Sequence, residues 1–92
     1  MTTAVWKFPV KIDDIIEIEM PVGAEVLHFD VQPDGFRGQP CIWARVDPEA
    51  PKEVRKFRFA GTGHGLEDEV GKHVGSCQMM EGRLVWHLFE LN

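Results

Sequence analysis

The chain has no apolar run approaching the roughly 18 residues of a membrane span, which excludes a transmembrane helix. Its first residues, Met1-Thr2-Thr3-Ala4-Val5-Trp6-Lys7, lack the basic stretch and apolar core of a secretory leader. Cysteine is scarce: only Cys41 and Cys77 occur, both inside apolar strand-like segments. Two thiols without a leader are expected to be reduced, buried and cytoplasmic rather than bridged. The histidines, His28, His64, His73 and His87, show no His-x-x-x-His spacing, and there is no Cys-x-x-Cys. No metal and no cofactor is therefore expected. No Lys-Ser/Thr pair closes a glycine loop, so NTP hydrolysis by a Walker-type loop is excluded. His64 has no evident nucleophile or second histidine beside it. No catalytic residue is assigned, and an enzyme is not expected, with nucleotide phosphodiesterase kept as an alternative.

Cations are also in short supply. Ten Lys and Arg face 15 Asp and Glu, for a net charge of -5. Such a field repels DNA, RNA and anionic membranes. Any phosphate-bearing ligand must then be held by a local cluster.

What is present is strand pattern. Ninety-two residues with 43% hydrophobic and 27% charged side chains make one globular domain, residues 1–92. Its core is thin, burying about 60–65% of the unfolded surface. Trp6, Phe8 and Val10 share one side of a first strand, and Pro9 keeps it near a sheet edge. Ile16, Ile18 and Met20 alternate with Glu17 and Glu19. Leu27, Phe29 and Val31 alternate with His28, Asp30 and Gln32. Pro33-Asp34-Gly35 is a turn, extended by a loop over Phe36-Arg37-Gly38-Gln39-Pro40.

Cys41 to Val46 follows as a strand, with Ile42, Ala44 and Val46 on one face and Cys41, Trp43 and Arg45 on the other. Asp47-Pro48-Glu49-Ala50-Pro51 is a rigid turn. Val54 to Ala60 returns, and its short link to the preceding strand predicts an antiparallel pair. Leu66-Glu67-Asp68-Glu69-Val70 holds one helical turn at most. Lys72 to Met80 and Arg83 to Leu91 flank the two-residue turn Glu81-Gly82. About seven short strands result, with almost no helix. The expected fold is all-β: a small antiparallel sandwich or a partly open barrel. The last strand is apolar on both faces, so it is either central or covered by a second subunit. The second choice predicts a homo-oligomer, a dimer or tetramer.

Candidate binding chemistry lies in two places. Arg55 to Ala60 carries Lys56 and Arg58 on one face and runs into Gly61-Thr62-Gly63-His64-Gly65. Such a loop offers backbone N–H groups, a hydroxyl and an imidazole to an anion. It also reads as a tight connection whose glycines supply positive φ. Trp43 and Arg45 share a strand face, where an indole can stack a nucleobase while the guanidinium meets phosphate. The alternative is a core Trp43 with Arg45 reaching outward. Trp6 and Trp86 read as packing residues. The ligand-binding set is thus Trp43, Arg45, Arg58, Gly61, Thr62, Gly63 and His64.

Five strings occur in order: Trp6-Lys7-Phe8-Pro9, Met20-Pro21-x-Gly23-Ala24, Ile42-Trp43-Ala44-x-Val46-Asp47, Gly61-Thr62-Gly63-His64 and Val85-Trp86-His87-Leu88-Phe89-Glu90. Together they resemble a family of short proteins encoded by tailed phages and prophages. That family is similar to the anti-CBASS sponge proteins, which sequester a cyclic dinucleotide alarm signal without cleaving it. The resemblance implies a phage immune-evasion protein of the host cytoplasm, with a cyclic dinucleotide such as cGAMP as ligand. Two bases to stack and two phosphates to neutralise suit the residue types above. The rival expectation is an interaction protein, a virion accessory or host-factor binder with no small ligand.

Overall fold

Alternation of apolar and polar residues produces seven strands and no helix among the described residues. The computed structural model describes residues 2–35, 37–68 and 70–91. The strands are β1 (Ala4–Pro9), β2 (Ile15–Pro21), β3 (Glu25–Gln32), β4 (Gln39–Val46), β5 (Lys52–Gly61), β6 (Lys72–Met79) and β7 (Leu84–Glu90). They form a three-stranded sheet in the order β1-β4-β3 and a four-stranded sheet in the order β2-β5-β7-β6. Every pairing is antiparallel. The sheets pack face to face as a sandwich and do not close into a barrel. β1 is an edge strand, as Pro9 requires.

The inward faces follow the period of 2. Ile42, Ala44 and Val46 of β4 are buried, with Phe29 of β3 beside them. Opposite lie Met20 of β2, Phe57 and Phe59 of β5, Cys77 of β6 and Leu88 of β7. Phe29 and Phe59 join the two sheets, with ring centroids 5.6 Å apart and planes tilted by 60°. Each fully buried Val, Leu, Ile, Phe or Met among them contributes roughly 1.5–3 kcal/mol by leaving water. Both cysteines are free and buried, as expected. Trp6 and Trp86 are half-buried against this core, in packing roles.

One inward position is not apolar. Arg55 alternates with Phe57 and Phe59, so it points between the sheets. Its Nε and Nη2 donate to the Glu90 carboxylate of β7, at 2.5 and 2.9 Å. Its Nη1 donates to the Ala24 carbonyl, at 2.7 Å, where the chain enters β3. The guanidinium therefore fastens one sheet to the approach of the other.

Three expectations need correction. β4 and β5 do not pair. β4 has both edges taken, by β1 and β3, and β5 lies between β2 and β7. The Asp47–Pro51 link carries the chain from one sheet to the other. Pro48 and Pro51 lack the N–H groups that a ladder beside the turn would need. Second, Leu27 does not share the buried face of Phe29. The ladder to β4 slips between Val26 and His28, leaving Leu27 as the extra residue of a bulge and 50% exposed. Val26 takes the inward position instead, half-buried against the core. Third, Gln39 and Pro40 belong to β4 rather than to the loop before it.

The β6–β7 hairpin turns at Glu81-Gly82 as expected, but the strands stop at Met79 and resume at Leu84, and Met80 is also left-handed at φ 53°. Glu81 and Gly82 have φ of 57° and 85°, and Arg83 N–H donates to the Met80 carbonyl at 3.2 Å. This is the φ pattern of a type I′ turn. β7 is an interior strand of its sheet, and its outward residues Val85, His87 and Phe89 are half-buried between those of β5 and β6. Between β5 and β6, Val70 N–H donates to the Glu67 carbonyl, a single turn. Phe36 and Glu69, which figured in the loop and helical-turn expectations, lie outside the described residues.

Candidate functional site

The predicted ligand residues fall on opposite outer faces of the sandwich. Trp43 and Arg45 point outward from the three-stranded sheet, because Ile42, Ala44 and Val46 point inward. Arg58 points outward from the four-stranded sheet, because Phe57 and Phe59 point inward. The core separates the two groups within one chain.

Arg58 is already engaged. Its Nε donates to Glu67 Oε2 at 3.0 Å, and Asp14 Oδ1 lies 3.7 Å from Nη1. The Phe59 and Gly65 carbonyls accept from its remaining donors. The Arg58 guanidinium in turn holds the Glu67 carboxyl below the usual carboxylate range. A cation so surrounded has little left for a phosphate.

The glycine loop behaves as a connection. His64 N–H donates to the Gly61 carbonyl at 3.0 Å, and Thr62 N–H to the Val85 carbonyl at 3.3 Å. Gly63, at φ +88°, supplies the left-handed residue of this turn. Gly61 makes room for the His64 imidazole: a Cβ there would lie 2.8 Å from His64 Cε1. That ring also meets the edge of Trp86, with centroids 6.2 Å apart. Thr62 turns the other way and sits 2.8 Å from His87 Nε2. Thr62 and His64 thus serve different sides of the strand end.

The Trp43 face is different. Lys7 of β1 and His28 of β3 are the register partners of Trp43, one on each side. Directly opposed residues of an antiparallel ladder share a face. The His28 and Trp43 rings have centroids 5.7 Å apart, tilted by 40°. Arg45 lies two residues further along the same face, exposed, with Nε donating to Thr3 Oγ1 at 3.2 Å. Among the described residues, Arg45 forms no ion pair. Lys7 Nζ donates to Gln32 Oε1 at 2.8 Å, and His28 Nε2 is 3.5 Å from Asp30 Oδ2. One half-buried indole is therefore flanked by three side chains able to carry positive charge, with Glu25, the register partner of Arg45, and Asp30 as carboxylates on the same face. Lys7 and His28 were missed because pairing register, which sets them beside Trp43, is not written in either strand alone.

A domain of unknown function, DUF7352, matches residues 1–92. The chain belongs to that family. No match was found among curated proteins or among solved structures. For this DUF7352 chain, the chemistry of the site rests on its own geometry. Among the described residues no group of three or more His, Cys, Asp or Glu is placed to hold a metal ion. Among the described residues no helix is long and apolar enough to cross a membrane.

Proposed function

We propose that the protein binds a cyclic dinucleotide on the Trp43 face and releases it intact, acting as a homo-oligomeric phage sponge in the host cytoplasm. The observation that carries this reading is the setting of Trp43, with Lys7 and His28 as its cross-strand partners and Arg45 beside it on β4. An indole stacks a base of any sequence, and neighbouring cations attract the phosphates. In a chain of net charge -5, such a local group is what a dianionic ligand requires. A ligand with near two-fold symmetry also suits a site shared by two copies of one chain. The resemblance to phage sponge proteins supports the same ligand class.

Calorimetric titration with cyclic GMP–AMP tests the proposal, followed by heat denaturation and chromatography of the released nucleotide. Binding with full recovery of intact ligand is expected. Linear products would make the protein a phosphodiesterase. Absence of binding would pass the face to the second reading, a protein-interaction surface. Val5 and Leu27, 59% and 50% exposed on the strands beside Trp43, favour that second reading.

A further inference from the structure

The outer surface of the four-stranded sheet carries a row of hydroxyl and imidazole groups across three strands. Ser76 on β6 is the register partner of His87 on β7. Thr62, just past the end of β5, approaches His87 from the other side. Ser76 Oγ lies 2.7 Å from His87 Nδ1, and Thr62 Oγ1 lies 2.8 Å from His87 Nε2. A neutral imidazole donates through one nitrogen and accepts through the other. In the tautomer whose Nε2–H donates to Thr62 Oγ1, Nδ1 faces the Ser76 hydroxyl as acceptor, and His73 Nε2 lies 3.4 Å from the same oxygen. Nucleophile, base and orienting group then stand in the order that activates a hydroxyl. Ser76 also lines a cleft of about 400 Å³, shared with Asp30, Gln78 and Val85.

We propose that Ser76 is a nucleophilic serine, with His87 as its general base and Thr62 positioning the imidazole, and that it accepts acyl groups from small neutral esters. Ser76 Oγ forms a bond to the ester carbonyl carbon while its proton passes to His87 Nδ1. The bond from that carbon to the alkoxy oxygen then breaks, and the imidazolium returns the proton to the departing alcohol. Water, deprotonated by the same nitrogen, cleaves the acyl-serine and regenerates the hydroxyl. The Gln78 side-chain amide is the neutral donor available in the cleft for the carbonyl oxygen, and Val85 offers an apolar wall. The Asp30 carboxylate at this cleft disfavours anionic substrates at Ser76. Cys77, which also lines the cleft, does not compete. It is 4% exposed, and burial pushes its thiol up to about 11, leaving no reactive thiolate at neutral pH.

The test is labelling of the native protein at neutral pH with an uncharged fluorophosphonate, together with p-nitrophenol release from p-nitrophenyl acetate. Intact mass and peptide mapping locate the adduct. One adduct on Ser76 is expected, absent in Ser76→Ala. His87→Gln should slow labelling by about 100-fold or more. Thr62→Val should slow it, and Thr62→Ser should restore it, which loss of packing alone would not produce. A folded wild-type protein that remains unlabelled overturns the proposal. So does an adduct on another residue, or a wild-type rate in His87→Gln. These outcomes are independent of nucleotide binding on the Trp43 face.

Discussion

Arg58 and Glu67 hold each other through two contacts, Nε to Oε2 at 3.0 Å and Nη2 to Oε1 at 3.4 Å. This pair decides between the two arginines that sequence offers to a phosphate. Arg58 is consumed by the segment that follows the glycine loop, whereas Arg45 stands beside Trp43 without an ion pair among the described residues. Arg45→Ala should therefore weaken cyclic dinucleotide binding by about 10- to 150-fold, the loss of one charge-assisted contact. Trp43→Ala should cost roughly 1–3 kcal/mol of stacking. Arg58→Ala should leave affinity unchanged within about threefold. Calorimetry on the folded variants checks all three, and a large loss only in Arg58→Ala would move the site to the other sheet.

The same pair makes a pH prediction. The Glu67 carboxyl is held below its ordinary range, first by the hydrogen bond from Arg58 and then by other local contacts. A carboxyl with a lowered folded value supports stability above its unfolded value and loses that support as pH falls through the folded one. The contribution should be present at neutral pH and fade below the ordinary carboxylate range. Because Glu67 is at the surface, the effect is small and sensitive to salt. Urea midpoints measured from pH 7 down to pH 3 should fall less steeply in Glu67→Gln than in wild type. Parallel curves would show that the pair adds nothing in solution.

The strands were legible because each inward face repeats every second residue, as in Ile16, Ile18 and Met20. Sheet membership was not. Asp47–Pro51 is short enough for a hairpin, and only the occupation of both β4 edges shows that it crosses between sheets. The bulge at Leu27 was equally hidden, since an unbroken alternation from Leu27 to Val31 reads as one regular face. For the candidate site, residue type drew attention to Trp43 and Arg45 on one strand face. It could not show that Arg58 is paired, because its partners Asp14 and Glu67 come from two other segments. It also passed over Lys7, His28, Ser76 and His87, whose neighbours are set by register across strands.

Arg55 opens the strand that leads to the glycine loop, and alternation places it inward with Phe57. Its ion pair with Glu90 is largely shielded, with side chains 16% and 24% exposed. Removing one partner strands the other charge between the sheets. Glu90→Gln or Arg55→Met should each destabilise the fold by roughly 2–3 kcal/mol, somewhat less than for a fully buried pair. The double variant should recover part of that loss. Urea unfolding of the four proteins gives the coupling energy. Strict additivity of the two losses would mean that Arg55 acts through the Ala24 carbonyl and its packing rather than through Glu90.

Cys77 predicts behaviour at the alkaline end. Burial raises its thiol to about 11, and burial raises that of Cys41 in the same direction. An unfolded cysteine ionises near about 8.5. Between these values the unfolded chain has released a proton that the folded chain retains. The folded state is therefore at full advantage below the unfolded value and loses it as pH rises towards the folded one. For Cys77 the loss should reach roughly 2–3 kcal/mol at the top of that window. Native protein at pH 8 should show little reaction with a thiol reagent and two free thiols after denaturation. Comparison of urea unfolding at pH 7.5 and pH 10 isolates the cause, because lysines titrating in the same range are common to both proteins. Cys77→Ala should lose less stability over that interval than wild type, even if its starting value is lower. Equal losses would show that Cys77 is not the residue that makes the fold sensitive to alkali.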